Sequence, residues 1–243
     1  MCSNVLLLHG VGLDSSVWDR LRKRLDYETT ALDLLGHGQR APIKEEVNLK
    51  AFADDVVSQM PQEPVHLVGF SLGGLVASRI AIDHPDRLLS LTIVNSVCER
   101  TEAERDAVRA RYALAAEDLD ASMNAALDRW FPPETPSFEE LRSETGEVLA
   151  ANDRESYLHA YKVFTFGDLD VAQDLRKVLV PTLIVTGEDD PGSTVDMAYR
   201  MQEKIPDSTV AVLPGARHMT PVTHVAELET LLTNHFDTAE RRV

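Results

Sequence analysis

Val65-His66-Leu67-Val68-Gly69-Phe70-Ser71-Leu72-Gly73-Gly74 is the stretch on which the reading of this chain turns. A run of apolar residues fits a strand buried on both faces, and it breaks at a serine framed by glycines. Beyond it Leu75, Ile80 and Ile82 recur at helical spacing. Gly69-Phe70-Ser71-Leu72-Gly73 therefore fits G-x-S-x-G in the strand-turn-helix context that this motif requires. The turn is sharp, so side chains at positions 69 and 73 would collide with it. The helix that starts after Ser71 aims its positive end at the hydroxyl, which favours an oxyanion there. The plain alternative is a glycine-rich turn carrying an idle serine.

Working outward, similar apolar runs stand at Val5 to Leu8, Leu88 to Val94, Thr182 to Val185 and Thr209 to Leu213, each leading toward a loop. Helical spacing joins Val17, Leu21 and Leu25; Leu49, Phe52, Val56 and Met60; Met197, Met201 and Ile205; and Val225, Leu228 and Leu232. Alternating strands and helices predict a mostly parallel sheet with helices on both faces. From about Glu99 to Leu175 no strand is legible. That block is rich in Ala, Glu and Arg and punctuated by Pro132-Pro133, Pro136 and Gly146. It reads as a helical lid, residues 99–175, inserted in a core made of residues 1–98 and 176–243 and lying over the strand ends.

A serine needs a base, and the base needs a carboxylate to fix its tautomer. His218, in Leu213-Pro214-Gly215-Ala216-Arg217-His218, follows the last strand and precedes the final helix, so it can return over the sheet edge to Ser71. His224 and His235 read as surface groups on or near that helix, and His66, within a strand, as a structural residue. The carboxylate should follow the preceding strand, where Glu188, Asp189 and Asp190 stand side by side. Spacing does not choose among the three. The oxyanion should meet two backbone N–H groups, one from Leu72 and one from the loop His9-Gly10-Val11-Gly12, which here means Val11.

Composition removes several trades. With 24 Lys+Arg against 40 Asp+Glu, the net charge of −16 repels nucleic acid and anionic membrane surfaces. Cys2 and Cys98 are too few for a disulfide framework and carry no zinc-ligand spacing, so a reducing compartment is expected. Val5 to Leu8 is too short for a signal-peptide core, and no run approaches a membrane span. The expectation is a cytoplasmic protein that needs no metal or organic cofactor.

These residues give the chain a resemblance to the α/β-hydrolase fold superfamily over nearly its whole length. His9 to Gly12 looks like the oxyanion loop, Asp33-Leu34-Leu35-Gly36-His37-Gly38 like the turn after the next strand, and Gly69 to Gly73 like the nucleophile elbow. Gly187 to Pro191 resembles the acid loop and Gly215 to His218 the histidine loop. The resemblance implies a Ser71-His218-Asp190 triad, the acid being the carboxylate just before Pro191, with Asp189 in reserve. Within the superfamily the chain looks most like the 3-oxoadipate enol-lactonase-like and small esterase group, on Arg129-Trp130-Phe131-Pro132, Asp168-Leu169-Asp170, Val180-Pro181-Thr182-Leu183 and Arg217-His218-Met219-Thr220-Pro221. Trp130 and Phe131 are the candidate substrate-binding wall.

Two departures qualify the likeness. Only Met1 to Asn4 precede the first apolar run, so the usual N-terminal hairpin should be missing and about six strands should remain. The segment from Thr29 to Leu34 should then form an exposed sheet edge, short and twisted or covered by a second copy, in a monomer or homodimer. Tyr157 to Thr165 lacks the small-residue pattern expected of a strict enol-lactonase. The expected activity is hydrolysis of a small ester or lactone through an acyl-enzyme. The alternatives are carbon–carbon bond hydrolysis, acyl transfer to peroxide, or a ligand receptor on the same fold.

Overall fold

The apolar runs become strands with little change of boundary. In the computed structural model, which describes residues 4–242, β1 is Asn4–Leu8, β2 Glu28–Leu32, β3 Val65–Phe70, β4 Leu88–Val94, β5 Thr182–Gly187 and β6 Ser208–Leu213. They form one sheet in the order β2-β1-β3-β4-β5-β6, with every pairing parallel. Strands β1, β3, β4 and β5 are buried almost throughout, whereas β2 and β6 are half-buried, as interior and edge positions of such a sheet require. Residues 1–3, including Cys2, lie outside the described residues. Cys98 is a buried free thiol whose pKa burial pushes up to about 12, so it stays protonated.

Among the described residues β2 is the outer strand beside β1, and it is only five residues long. The Arg22 side chain donates to the Thr29 hydroxyl (3.1 Å) and carbonyl (3.4 Å), which blunts that edge with a charge.

The core helices are α1 (Asp19–Arg22), α2 (Leu49–Gln59) and α3 (Leu72–Asp83). Five more follow β4: α4 (Glu102–Glu117), α5 (Leu119–Trp130), α6 (Phe138–Ala150), α7 (Arg154–Phe166) and α8 (Asp168–Ala172). The chain closes with α9 (Val195–Lys204), α10 (Thr220–Thr223) and α11 (Val225–Glu240). Helix α3 packs on β3 and β4, α9 on β5 and β6, and α11 on β4. No helix among the described residues is long and apolar enough to cross a membrane.

The five helices between β4 and β5 pack on one another, and α7 and α8 rest on α3. Thr101 starts α4 with a reciprocal capping box to Glu104, and Asp118 and Asp153 cap α5 and α7. Gly146 does not punctuate this block. It lies within α6, where a Cβ would make an ordinary contact of 3.4 Å with Leu127 Cδ1.

The two ends of the block are tied together by a buried ion pair. Arg100, just past β4, donates from Nη1 to Asp168 Oδ1 (2.8 Å), and its backbone N–H donates to Asp168 Oδ2 (2.9 Å). The guanidinium also donates to the Thr165 and Phe164 carbonyls, both at 3.1 Å. Both side chains are about 1% exposed. Removing either partner of such a pair costs about 3–5 kcal/mol, because the other charge is left stranded.

Two histidines lie differently within the fold from one another. His66 fits its structural reading, with Nδ1 at 2.8 Å from the Ser90 hydroxyl and its ring stacked on Phe236. His235 is a correction: it is not a surface group. Helix α11 turns it onto β4, Nε2 reaches the Leu91 carbonyl at 3.1 Å, and burial lowers its pKa to about 4.

Candidate active site

Parallel strands bring their C-terminal ends to one edge, and the register fixes which loops meet there. Leu8 pairs with Gly69, Phe70 with Val94, Val94 with Val185, and Gly187 with Leu213. Residues 9–12, 71, 95, 188–190 and 214–218 are thereby delivered to the same side of the sheet. The chain reverses its direction of growth between β1 and β3, so Ser71 stands at the switch point where open α/β sheets form their crevice.

Ser71 itself sits at φ 54°, ψ −112°, outside the comfortable regions for an L-residue. Its N–H donates to the Val94 carbonyl (2.9 Å) and its own carbonyl accepts the Ser96 hydroxyl (2.7 Å), which holds the strained turn in place. The flanking glycines are needed by the packing. A Cβ on Gly69 would overlap the Gly73 carbonyl, and one on Gly73 would overlap the Leu8 carbonyl. The Gly73 N–H is committed to the His9 carbonyl (3.0 Å) and that of Gly74 to Ser71 (3.0 Å). The Leu72 N–H stands in the first turn of α3, where helical N–H groups have no intrahelical acceptor.

The loop after β1 is fixed by its histidine. His9 is fully buried; Nε2 accepts the Leu34 N–H (2.9 Å), so the proton lies on Nδ1, which donates to the Gly10 carbonyl (2.7 Å). Burial lowers its pKa to about 4, so the ring is a neutral strut between this loop and the turn after β2. His37 stands against it edge-on, with ring centroids 5.0 Å apart, and its pKa is lowered to about 3. Gly12 turns at φ +75°, and a Cβ there would come within 2.6 Å of the Tyr157 ring.

Across the crevice, His218 Nδ1 lies 2.7 Å from Asp190 Oδ2. Of the three neighbouring carboxylates only Asp190 is buried. Glu188 turns outward to the Gly215 N–H (3.0 Å), and Asp189 is exposed. Asp190 also accepts the Asn95 side-chain amide (2.9 Å) on Oδ2 and the N–H groups of Gly192 (2.8 Å) and Ser193 (3.1 Å) on Oδ1. Burial alone would raise its pKa, but the adjacent His218 and these donors bring it below the usual carboxylate value. An ionised Asp190 places the His218 proton on Nδ1 and leaves Nε2 as the acceptor.

Ser71, His218 and Asp190 line one cavity of about 50 Å³ together with Gly10 and Val11. Trp130 joins its wall, stacked on His218 with centroids 5.6 Å apart at 23°. Phe131 does not. It is 1% exposed within the hydrophobic core, because α5 ends at Trp130 and the next side chain turns inward. Other wall residues are ones that sequence reading did not assign: Tyr157, Tyr161 and Phe164 from α7, and Arg111 and Arg129 from α4 and α5. Asn95 was missed too. It lies directly after the Leu88 to Val94 run, at φ 44°, and its carbonyl, amide and side-chain oxygen hold Ser193, Asp190 and Thr220 respectively. Its place at the end of a buried strand was the available signal. Among the described residues no group of three or more His, Cys, Asp or Glu side chains is placed to hold a metal ion.

Residues 5–230 match the profile of the family described as Alpha/beta hydrolase family. The chain is 32% identical over 228 residues to the (E)-2-((N-methylformamido)methylene)succinate hydrolase of Acinetobacter baylyi, covering 90% of this chain and 84% of that protein. It is 29% identical to a pimeloyl-acyl-carrier-protein methyl ester esterase of Yersinia enterocolitica, over 95% and 92% of the two chains. Among solved structures, the enol-lactonase from Burkholderia xenovorans LB400 shares the fold, with a TM-score of 0.87 at 20% identity and coverage of 98% and 92%.

Proposed function

The chain belongs to the Alpha/beta hydrolase family, and from that premise we propose that it is a serine hydrolase of small esters or lactones. The observation that carries this reading is one cavity lined by a strained serine and by a histidine held through Nδ1 on a buried carboxylate. The names of the relatives, a hydrolase and a methyl ester esterase, support the same reaction class.

Ser71 Oγ attacks the acyl carbon while its proton passes to His218 Nε2. The N–H groups of Val11 and Leu72 receive the oxyanion, and Asp190 stabilises the imidazolium. His218 then protonates the departing alkoxide as the C–O bond breaks, leaving an ester on Ser71. Water attacks that ester, gives its proton to His218, and the acid departs as Ser71 regains its hydrogen. Residues 99–175 act as the lid over core residues 1–98 and 176–243. The Arg100–Asp168 pair at the base of the inserted helices supports that division, as does the Trp130 ring, which shields His218 from solvent.

The test is labelling with a neutral fluorophosphonate, mapped by mass spectrometry, alongside Ser71→Ala. Label on Ser71 and a loss of about 10³-fold or more in ester turnover in the alanine variant are expected. Near-normal turnover by Ser71→Ala would sink the mechanism.

A further inference from the structure

We propose that Arg111 and Arg129 form a carboxylate-binding subsite, so that the substrate is an ester or lactone carrying a second, free carboxylate close to the scissile acyl group. The proposal rests on the serine hydrolase reading above and adds the substrate class. Arg111 on α4 and Arg129 on α5 line the same cavity as Ser71 and His218. Among the described residues neither guanidinium forms an ion pair. The Arg129 Nη1 donates only to the Ala125 carbonyl one turn back (2.9 Å), and its own carbonyl accepts the Arg217 side chain (3.3 Å).

This is an expensive arrangement to leave unmatched. Forty acidic side chains were available to a chain of net charge −16, and Arg100, on the neighbouring stretch, is ion-paired with one. Burial lowers the pKa of Arg129, and the Arg111 charge lowers it further, so the two cations disfavour each other. The one carboxylate in the wall, Asp190, is already engaged by His218, Asn95 and two backbone N–H groups. A positive spot inside a negative molecule attracts an anion into the cleft, and planar guanidinium groups suit a carboxylate. Trp130, Tyr157, Tyr161 and Phe164 give the same wall large aromatic faces, which lower the local polarity and strengthen the attraction. Both arginines face the same small cavity, of about 50 Å³, as Ser71. The anion and the reacting carbonyl therefore sit on the same small molecule.

The experiment compares monomethyl glutarate with dimethyl glutarate, which differ by one methyl group and one charge, by titrating released acid. Wild-type protein is expected to show a kcat/KM at least about tenfold higher for the monoester. Arg111→Gln and Arg129→Gln should each lower that ratio about tenfold, chiefly through KM, and Arg129→Lys should restore part of it. Circular dichroism checks that each variant is folded. Free glutarate should also slow fluorophosphonate labelling of Ser71 in the wild type and do so less in both glutamine variants. A wild-type preference for the diester, or a ratio and a protection unchanged by both substitutions, overturns the subsite while Ser71 labelling leaves the hydrolase reading standing. Failure to label Ser71 at all would instead overturn the reading on which the subsite rests.

Discussion

Replacing Asp190 by asparagine swaps one oxygen for an NH₂ group in a site that presents only donors. Oδ2 faces His218 Nδ1 (2.7 Å) and the Asn95 amide (2.9 Å), and Oδ1 faces the N–H groups of Gly192 (2.8 Å) and Ser193 (3.1 Å). In either orientation the new amide nitrogen meets two donors. Directed at Gly192 and Ser193, it opposes backbone groups that cannot rotate, and two unmade buried bonds cost about 1–3 kcal/mol each. Directed at His218, it forces the imidazole proton onto Nε2, which can then no longer accept the Ser71 proton. The second orientation spares the backbone, so the expected outcome is a well-folded variant whose kcat/KM falls roughly 10⁴-fold. Asp189→Asn alters an exposed carboxylate and should leave activity within about twofold. The assay is hydrolysis of a short methyl ester by both variants, with urea unfolding in parallel. If Asp189→Asn lost more activity than Asp190→Asn, or if Asp190→Asn kept a tenth of wild-type turnover, the assignment of the acid would be refuted.

Asn95→Ala removes a hydrogen bond to a buried charge, worth about 1.5–3 kcal/mol, and leaves the Thr220 hydroxyl without its acceptor. The expected loss is roughly 10–100-fold in kcat/KM, with the acid limb of the pH profile moving upward because Asp190 loses a donor that favours its ionised form; an unmoved profile and full activity would make Asn95 a bystander. Stability should fall on acidification from pH 7.5 to 5. The folded pKa values of His9 and His235 are lowered to about 4 and that of His37 to about 3, so the unfolded chain binds more protons below about pH 6.5 and gains from them. Each histidine contributes up to about 2 kcal/mol over that interval, the half-buried His235 least, and a urea midpoint that stays flat between pH 7.5 and 5 would contradict the neutral assignment.

What sequence revealed and what it hid divide along a physical line. Val5 to Leu8, Val65 to Phe70 and Leu88 to Val94 were legible because a strand buried on both faces is apolar almost throughout, broken here only by His66, Ser90 and Thr92, and that pattern is local. The elbow at Ser71 was legible because a strained turn demands glycine at fixed spacing. The choice among Glu188, Asp189 and Asp190 was not local. It depends on Asn95 and His218, which lie 95 and 28 residues away from Asp190, and only the resemblance to a family singled out Asp190. The strand-free block from Glu99 to Leu175 likewise read as helical without dividing it into α5 and α7 or saying which side of each faces the crevice. Trp130 and Phe131 are adjacent, yet one stacks on His218 and the other enters the core.

The same division explains where a substrate choice can reside in this molecule. The sheet fixes the loops that carry Ser71, Asp190 and His218 through backbone register, so their places do not depend on what the inserted helices carry. The inserted helices are attached differently: the Arg100–Asp168 pair holds their two ends together beside β4, and α7 and α8 rest on α3. With the base of the insertion fixed, residues on its inner side can vary in charge and size while the reacting groups stay put. Arg111, Arg129, Trp130 and Tyr157 are all contributed from that side. A net charge of −16 would otherwise turn an anionic substrate away, so the two unpaired arginines have to be inside the cleft, where aromatic walls keep their field from being screened by water and salt.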